Sequence, residues 1–599
     1  MRPALPLVLL AALAVPLAAA GCYAAEGQTA HPPADSLRAA EALAEAERAR
    51  AARQSLADSL LAAYAGFEAP PRPSEAEAQA WADSALATLS LEERVAQMFF
   101  VELGGVRDPD GLARLGVGGF HLSRRTPPRE ILAATNRLQR AADVPLLVAA
   151  DFEWGVGTAS SNFTSLPAAM AYGAADDDLL AEIGGAVTAL EARAVGVNVL
   201  WGPVADVNNN PQNPIINTRS FGSDPGRVGA LAAAWVRGAQ AHGALAALKH
   251  YPGHGNTDTD THLDFASVPG DWGDLWATEL APYRVALGER PAFVMTTHLW
   301  ARALDRTATP ATFSRRALSD VLRDSLGFDG IVTTDALNMG AVQKHYSATE
   351  RVVRPVQAGA DVVLFPPRPR AGIRAVVAAV ERGEIPRAQV DASARRILLA
   401  KARLGLHRQR LADRDRLDRM LEEVRGAAFA RALSRASVTV VREGALPLAG
   451  RVALVQMSNF DAGAPMTRLE RDLGPDATAR VSRRGGGRDR AVRAARGADV
   501  AVVALHLDAM KGRPHPSRAQ QAALDAIAAT GTPVVLAVLG NPYAATALPE
   551  AAGLVLAYDR TVRTASAVAD VLAGRQRAPG RLPVEVPGLG SPPAGGPGR

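Results

Sequence analysis

The chain has 599 residues, too many for one ordinary domain, so at least two are expected. Hydrophobic residues make up 48% and charged residues 21%, a balance that excludes a wholly disordered chain. The net charge of +5 is small for this length and the basic residues are spread among acids, so no nucleic-acid stripe stands out and no such partner is expected.

At the N-terminus Arg2 precedes a short apolar stretch from Leu5 to Ala20, followed by Gly21 and Cys22. A basic start, an apolar core too short to span a membrane comfortably and small residues at its end predict a secretory signal over residues 1–22. Cys22 is the only cysteine and stands where the small residues end. The pattern resembles a bacterial lipoprotein signal, in which this cysteine is lipidated and ties an exported protein to the cell envelope, on a periplasmic or outer-membrane face. The alternative is an ordinary signal with an incidental cysteine. A lone cysteine forms no intramolecular disulfide. Residues 23–78 are rich in Ala, Glu, Arg and Pro. The helical pattern over 39–63 is built mostly on alanine, which buries little surface, so this stretch reads as a tether.

From Trp81 short apolar runs alternate with longer amphipathic stretches. Eight strands are expected, at 97–103, 117–122, 145–151, 197–204, 244–249, 292–298, 330–334 and 361–365. Helical patterns fall between many of them, as at 177–194, 225–242 and 314–325. Apolar strands alternating with helices predict a parallel sheet covered by helices, and eight units suit a (β/α)8 barrel, set at 79–415. Asp151, Asp206, the cluster at 249–264, His298 and Asp335 all follow strands, where such barrels carry their sites. After an arginine-rich linker, five further strands at 437–441, 451–456, 500–505, 533–539 and 554–557, with a helix at 516–529, predict a smaller three-layer α/β sandwich over 425–588. The Gly/Pro-rich tail from Pro587 is expected to be disordered.

The densest chemistry lies in KHYPGHGNTDTDTHLDF, from Lys249 to Phe265. It holds His250, His254 and His262, with Asp258, Asp260 and Asp264, and Lys249 is one of only four lysines in the chain. Metal binding is one reading, but Pro252 and Gly253 disfavour the helix that would bring His250 and His254 to one face. Acid–base chemistry fits better. In an extended loop Asp260 and His262 point the same way, so the carboxylate orients the imidazole and stabilises its protonated form. Asp335 ends a strongly apolar strand; it is a candidate nucleophile, or else the cap of a helix starting at Ala336. Asp151 ends another strand, and Arg219, Lys249 and His250 supply donors for a polyhydroxylated ligand. Trp154, Trp201 and Trp300 lie near strand ends and offer flat faces, although tryptophans more often fill cores.

The combination KHYPGHG-x5-D-x-H, DVNNNPQNPIINTRSFGSDP and IVTTDALNM resembles glycoside hydrolase family 3, and within it the β-N-acetylglucosaminidase branch. The resemblance covers about 80–410 and extends more loosely to GRLPVEVPG near the C-terminus. It implies Asp335 as the nucleophile of a retaining mechanism and His262 as acid/base with Asp260 as its partner. Asp151, Arg219, Lys249 and His250 become ligands of the sugar hydroxyls. The implied substrate is an oligosaccharide with a terminal β-linked N-acetylglucosamine, from cell-wall fragments or chitin-type chains, and no metal or nucleotide cofactor is implied. Ala159 stands where many members carry an arginine that reaches the substrate, which bears on the identity of the sugar. The competing readings are a glycoside phosphorylase using the same residues, a β-glucosidase-like member and a non-catalytic glycan-binding lipoprotein.

Overall fold

The structure, a computed structural model, describes residues 47–591 apart from 49, 60, 61, 123–125, 159, 161 and 508–514. The signal sequence with Cys22, and Ala159, lie outside the described residues. The chain divides into two compact units, Met1–Ala52 and Arg53–Arg599; both globular domains belong to the second.

The first domain contains β1 (Phe99–Glu102), β2 (Gly119–Leu122), β3 (Leu147–Ala150), β4 (Val199–Leu200), β5 (Leu245–Tyr251), β6 (Ala266–Val268), β7 (Phe293–Thr296), β8 (Leu299–Ala301), β9 (Ile331–Ala336) and β10 (Val362–Leu364). Eight of these close a barrel in the order β1-β10-β9-β7-β5-β4-β3-β2, with every neighbouring pair parallel. All eight expected strands are present, most of them shorter than expected. The additional strands β6 and β8 pair with each other in a separate small ribbon.

Alternation along each strand explains the double-sided apolar runs. Ala149, Ala247, Phe293, Met295 and Ile331 belong to one apolar cluster, while their neighbours Val148, Ala150, Ala246, Leu248, Val294 and Val332 belong to another. The first set fills the barrel and the second faces the helices. Phe100 of β1, Phe293 of β7 and Trp201 just after β4 meet inside the barrel with ring centroids 5.4–6.3 Å apart. Trp201 is therefore core, not a ligand platform.

Outside, the helices Asp178–Ala194 and Pro225–Ala241 begin at Asp177 and Asp224, whose side chains accept from the Leu179 and Arg227 amides. They cross closely because Gly185 and Gly238 face the opposing backbone, where a Cβ would stand 2.2 Å from the Trp235 carbonyl oxygen and 1.9 Å from that of Glu182. The helix expected at 314–325 is wound more widely, as a π-helix over Arg316–Ser325, with the Leu326 amide bonded to the Val321 carbonyl.

The later part of the expected tether is fastened to the barrel. Tyr64 and Phe67 are buried, the Tyr64 hydroxyl donates to Glu191 at 3.0 Å, and Arg416 and Arg425 lie over the Phe67 ring. These two aromatics supply the burial that the alanines cannot.

The second domain is one sheet of six strands: β11 (Thr439–Arg442), β12 (Val452–Ser458), β13 (Ala477–Val481), β14 (Val500–Leu507), β15 (Val534–Gly540) and β16 (Gly553–Ala557). Their order is β11-β16-β15-β14-β12-β13, parallel except for β11 against β16. Separate apolar clusters cover its two faces, giving the expected three layers. β13 was not expected; it is an edge strand whose alternate residues are exposed. Part of the tail expected to be disordered carries structure, an antiparallel bridge between Val586 and Gly590.

Candidate active site

Strand ends β3, β5 and β9 and the loops after β4 and β5 bring the polar residues together. The centre is a buried charge cluster. Glu153, three residues beyond the end of β3, receives a two-pronged bond from Arg219, Nε to Oε2 at 2.9 Å and Nη2 to Oε1 at 2.7 Å. Lys249, within β5, places Nζ 2.6 Å from the same Oε1 and 3.0 Å from Asp151 Oδ1. Burial pushes the Glu153 carboxyl up, but Arg219 and Lys249 reverse this and hold it well below the ordinary carboxylate value. Burial likewise lowers Lys249 and Arg219, and the carboxylates beside them, Asp151 and Glu153 for the lysine and Glu153 first for the arginine, raise both above their usual values. Glu153, Arg219 and Lys249 are thereby held charged.

His250 is fixed on both sides. Nδ1 lies 2.7 Å from Asp206 Oδ2, and Nε2 lies 3.3 Å from Arg219 Nη2. A guanidinium only donates, so Nε2 accepts and Nδ1 carries the proton toward Asp206. Asp206 Oδ1 also accepts from the amides of His250 at 3.2 Å and His254 at 2.7 Å. Burial raises the Asp206 carboxyl, but His250 and His254 hold it below its usual value. The His254 ring is occupied by the Thr257 and Thr261 hydroxyls at 2.7 and 2.9 Å, and burial pushes it down to about 4. It is a neutral strut, not an acid/base group.

Asp335 is in β9, and that strand continues to Ala336; the next helix, Gly340–Gln343, begins later. Asp335 therefore caps no helix. Its Oδ1 accepts from the Ala336 amide at 2.7 Å. Burial pushes its carboxyl up, but His250, His298, the Ala336 amide and Lys249 hold it below the usual value, so it is ionised at neutral pH. His298 is itself pushed down by burial and bonds the Ala336 carbonyl at 3.0 Å, bracing the strand end.

His262 Nδ1 is 2.8 Å from Asp260 Oδ1, the pairing expected, but the geometry differs from that expected. The segment is a turn, with the Leu263 and Asp264 amides bonded to the Asp260 carbonyl at 2.9 and 3.0 Å. Asp260 Oδ1 also accepts from the His262 amide at 2.9 Å, so one oxygen fixes both backbone and ring. The His262 pKa is raised, first by this bond to Asp260 and further by Asp335, against burial. The His262 side chain is 59% exposed, open to a leaving group.

The loop's anchors are polar and escape an apolar count. The Gly340 and Ala341 amides donate to the His262 and Thr261 carbonyls at 3.1 and 3.2 Å, and Asp264 pairs with Lys344 at 3.1 Å. The acid/base candidate thus hangs from the segment that follows the nucleophile candidate.

Asp151, Asp206, Arg219, Lys249, His250, Asp335 and the Asp260–His262 pair are linked here by hydrogen bonds, ion pairs or electrostatic coupling, whereas Trp201 lies in the barrel core and Trp300 donates to the Asp305 carbonyl. Glu153 is the member not singled out from sequence, although it stands in the same DFEWG as Asp151. His121 also joins: Trp201 Nε1 donates to its Nδ1 at 2.9 Å, and its Nε2 lies 3.6 Å from Asp151.

A parallel barrel with carboxylates, imidazoles and paired cations at its C-terminal strand ends fits a glycoside-cleaving enzyme. The chain belongs to glycosyl hydrolase family 3: the family's N-terminal domain matches residues 90–400 and its C-terminal domain residues 335–591. It is 33% identical over 388 residues to a β-N-acetylglucosaminidase/β-glucosidase of Cellulomonas fimi, covering 62% of this chain and 68% of that one. A β-hexosaminidase A of Pseudoalteromonas piscicida is 31% identical over 325 residues, 49% of this chain and 54% of that one. Among solved structures, a family 3 β-N-acetylglucosaminidase from Paenibacillus sp. str. FPU-7 is similar with a TM-score of 0.72 and 29% identity, over 83% of this chain and 99% of that one.

The charge cluster makes a testable demand. Glu153→Ala leaves Arg219 without its carboxylate partner and Lys249 with one fewer, and is expected to destabilise the fold by about 3–5 kcal/mol, the cost of breaking a buried ion pair. Denaturant unfolding of the variant against the wild type measures it.

Proposed function

We propose that this enzyme is a retaining β-N-acetylhexosaminidase that releases terminal, non-reducing β-linked N-acetylglucosamine. The observation that carries the reading is the Asp260–His262 pair at 2.8 Å on a loop bonded to the segment just after Asp335. It supplies a proton donor and an ionised nucleophile within one electrostatically coupled site. In the first step an Asp335 oxygen attacks the anomeric carbon, the glycosidic bond breaks, and His262 gives its proton to the departing oxygen. In the second, His262 takes a proton from water as that water displaces Asp335. Asp151, Arg219, Lys249 and His250 hold the sugar hydroxyls; the relatives named for N-acetylglucosaminidase activity support the acetamido sugar.

A glycoside phosphorylase is the second reading, and one observation favours it. Having given up its proton in the first step, the His262 ring beside Asp260 is neutral when the glycosyl-enzyme is attacked, and a neutral imidazole does not repel phosphate as a carboxylate would. Nitrophenyl β-N-acetylglucosaminide and β-glucoside, each assayed with and without phosphate, separate the readings. We expect turnover of the acetamido substrate, indifferent to phosphate, and its loss by at least about 10⁴-fold in Asp335→Ala. Phosphate-dependent release of a sugar 1-phosphate would move the assignment to phosphorylase, and no turnover of either would refute a glycosidase acting on these sugars.

The pH profile follows from the same groups. The acid limb of kcat/KM reports ionisation of Asp335, below the ordinary carboxylate value, and the alkaline limb reports loss of the His262 proton, above the ordinary imidazole value of 6.5. Asp260→Asn removes the largest influence that raises His262. The alkaline limb should therefore move to lower pH while the acid limb stays; an unmoved alkaline limb would exclude the pair.

The N-terminal pattern supports export and lipid anchoring at Cys22, which would bring the enzyme to peptidoglycan fragments or chitin-type oligosaccharides in the cell envelope. Cys22→Ser is expected to move the protein from the membrane fraction to the soluble one; unchanged partitioning would refute the anchor.

A further inference from the structure

The loop between β4 and β5 carries Asp206 and Arg219 into the site, and three of its asparagines hold it in place. Asn213 acts within the barrel: its Oδ1 accepts from the Ile215 and Ile216 amides, and its Nδ2 donates to the His254 and Gly255 carbonyls at 2.8 and 2.9 Å. Asn208 and Asn217 instead reach the second domain.

There they close a hydrogen-bonded ring of four residues, two of its links made by backbone amides. The Asn217 amide donates to Asn208 Oδ1 at 3.0 Å, and Asn208 Nδ2 donates to the Tyr543 hydroxyl at 2.7 Å. The Tyr543 amide donates to Asn541 Oδ1 at 3.2 Å, and Asn217 Nδ2 donates to the same oxygen at 3.0 Å. None of the four residues is more than 2% exposed. Asn541 and Tyr543 lie just after β15, on the turn Pro542–Ala547 and its cap.

We propose that Asn541 and Tyr543 are positioning residues for the sugar site, through which the second domain sets the place of Arg219. The inference rests on the reading of Arg219 as a sugar ligand. Asn217 lies two residues before Arg219 in the short turn Asn217–Arg219 and adopts a left-handed backbone, φ 43°. Among the described residues its Oδ1 is buried without a hydrogen-bond partner, so Asn541 is the one hydrogen-bond partner of the Asn217 side chain. The barrel therefore fixes Glu153, while the other domain fixes the turn from which Arg219 reaches it. A shift of that turn pulls the guanidinium off its two-pronged bond and away from His250. The far end of the loop is clamped from the same side: the Ser223 amide donates to the Pro583 carbonyl at 2.9 Å, and a Cβ on Gly222 would stand 2.4 Å from that carbonyl oxygen.

The test uses the full chain with Asn541→Ala, Tyr543→Phe, Arg219→Ala and the Asn541→Ala/Arg219→Ala pair, assayed on nitrophenyl β-N-acetylglucosaminide. We expect Asn541→Ala to raise KM on the order of tenfold, short of the roughly hundredfold that a full ångström of misplacement can cost. Tyr543→Phe should raise it less, kcat should fall less than kcat/KM, and both limbs of the pH profile should stay in place. In the Arg219→Ala background the Asn541 change should add nothing, because coupled residues are not additive. If Asn541→Ala fails to fold, Tyr543→Phe, which removes a single hydroxyl, decides the matter. Ring variants with KM within twofold of wild type, or effects that add fully to Arg219→Ala, overturn the proposal while leaving Arg219 a ligand. If Arg219→Ala itself leaves KM unchanged, or the wild type does not turn this substrate over, the sugar-ligand reading fails and the positioning role falls with it.

Discussion

The site depends on one carboxylate that no substrate need touch. Glu153, its side chain only 12% exposed, lies between Arg219 and Lys249, and its two oxygens serve both cations. Two like charges this close repel strongly away from water. With Glu153 and Asp151 beside them the four groups sum to zero, so the cleft holds two fixed donors at little net electrostatic cost. Everything nearby is built on that balance: His250 aligns against Arg219, and Lys249 contributes to keeping Asp335 ionised.

The barrel was legible because its physics is local. Strands buried on both sides appear as continuous apolar runs, and amphipathic helices separate them, so both can be counted before any contact is known. The exceptions follow from the same reasoning. β6 and β8 are three residues each and pair only with one another, β13 is a half-exposed edge strand rich in Ala and Thr, and neither case offers a long apolar run. Tyr64 and Phe67 were hidden because two aromatics in an alanine-rich stretch do not change its periodicity.

The site was legible by clustering and by the carry-over of motifs, and less so in its geometry. Asp260 and His262 pair as expected, yet through a turn that one carboxylate oxygen nucleates, a conformation that spacing alone does not distinguish from an extended loop. Glu153 does not stand out in the sequence because one acid in a loop has many possible uses, and only the approach of Arg219 and Lys249 selects one. Asn208 and Asn217 were visible as letters in a motif, but their partners lie more than 300 residues away, beyond the reach of any local pattern.

The loop that carries His262 is fastened by main-chain amides donating to the Thr261 and His262 carbonyls as well as by the Asp264–Lys344 pair, so part of its attachment does not depend on what side chains the loop carries. The strict requirement falls on the opposite strand of this contact, at Gly340, where a Cβ would stand 2.6 Å from the Leu263 oxygen. Leu263, 68% exposed beside His262, is under no such restraint. The architecture thus leaves the residue beside the proposed proton donor free to vary, while His262 itself stays in register with the segment that follows Asp335.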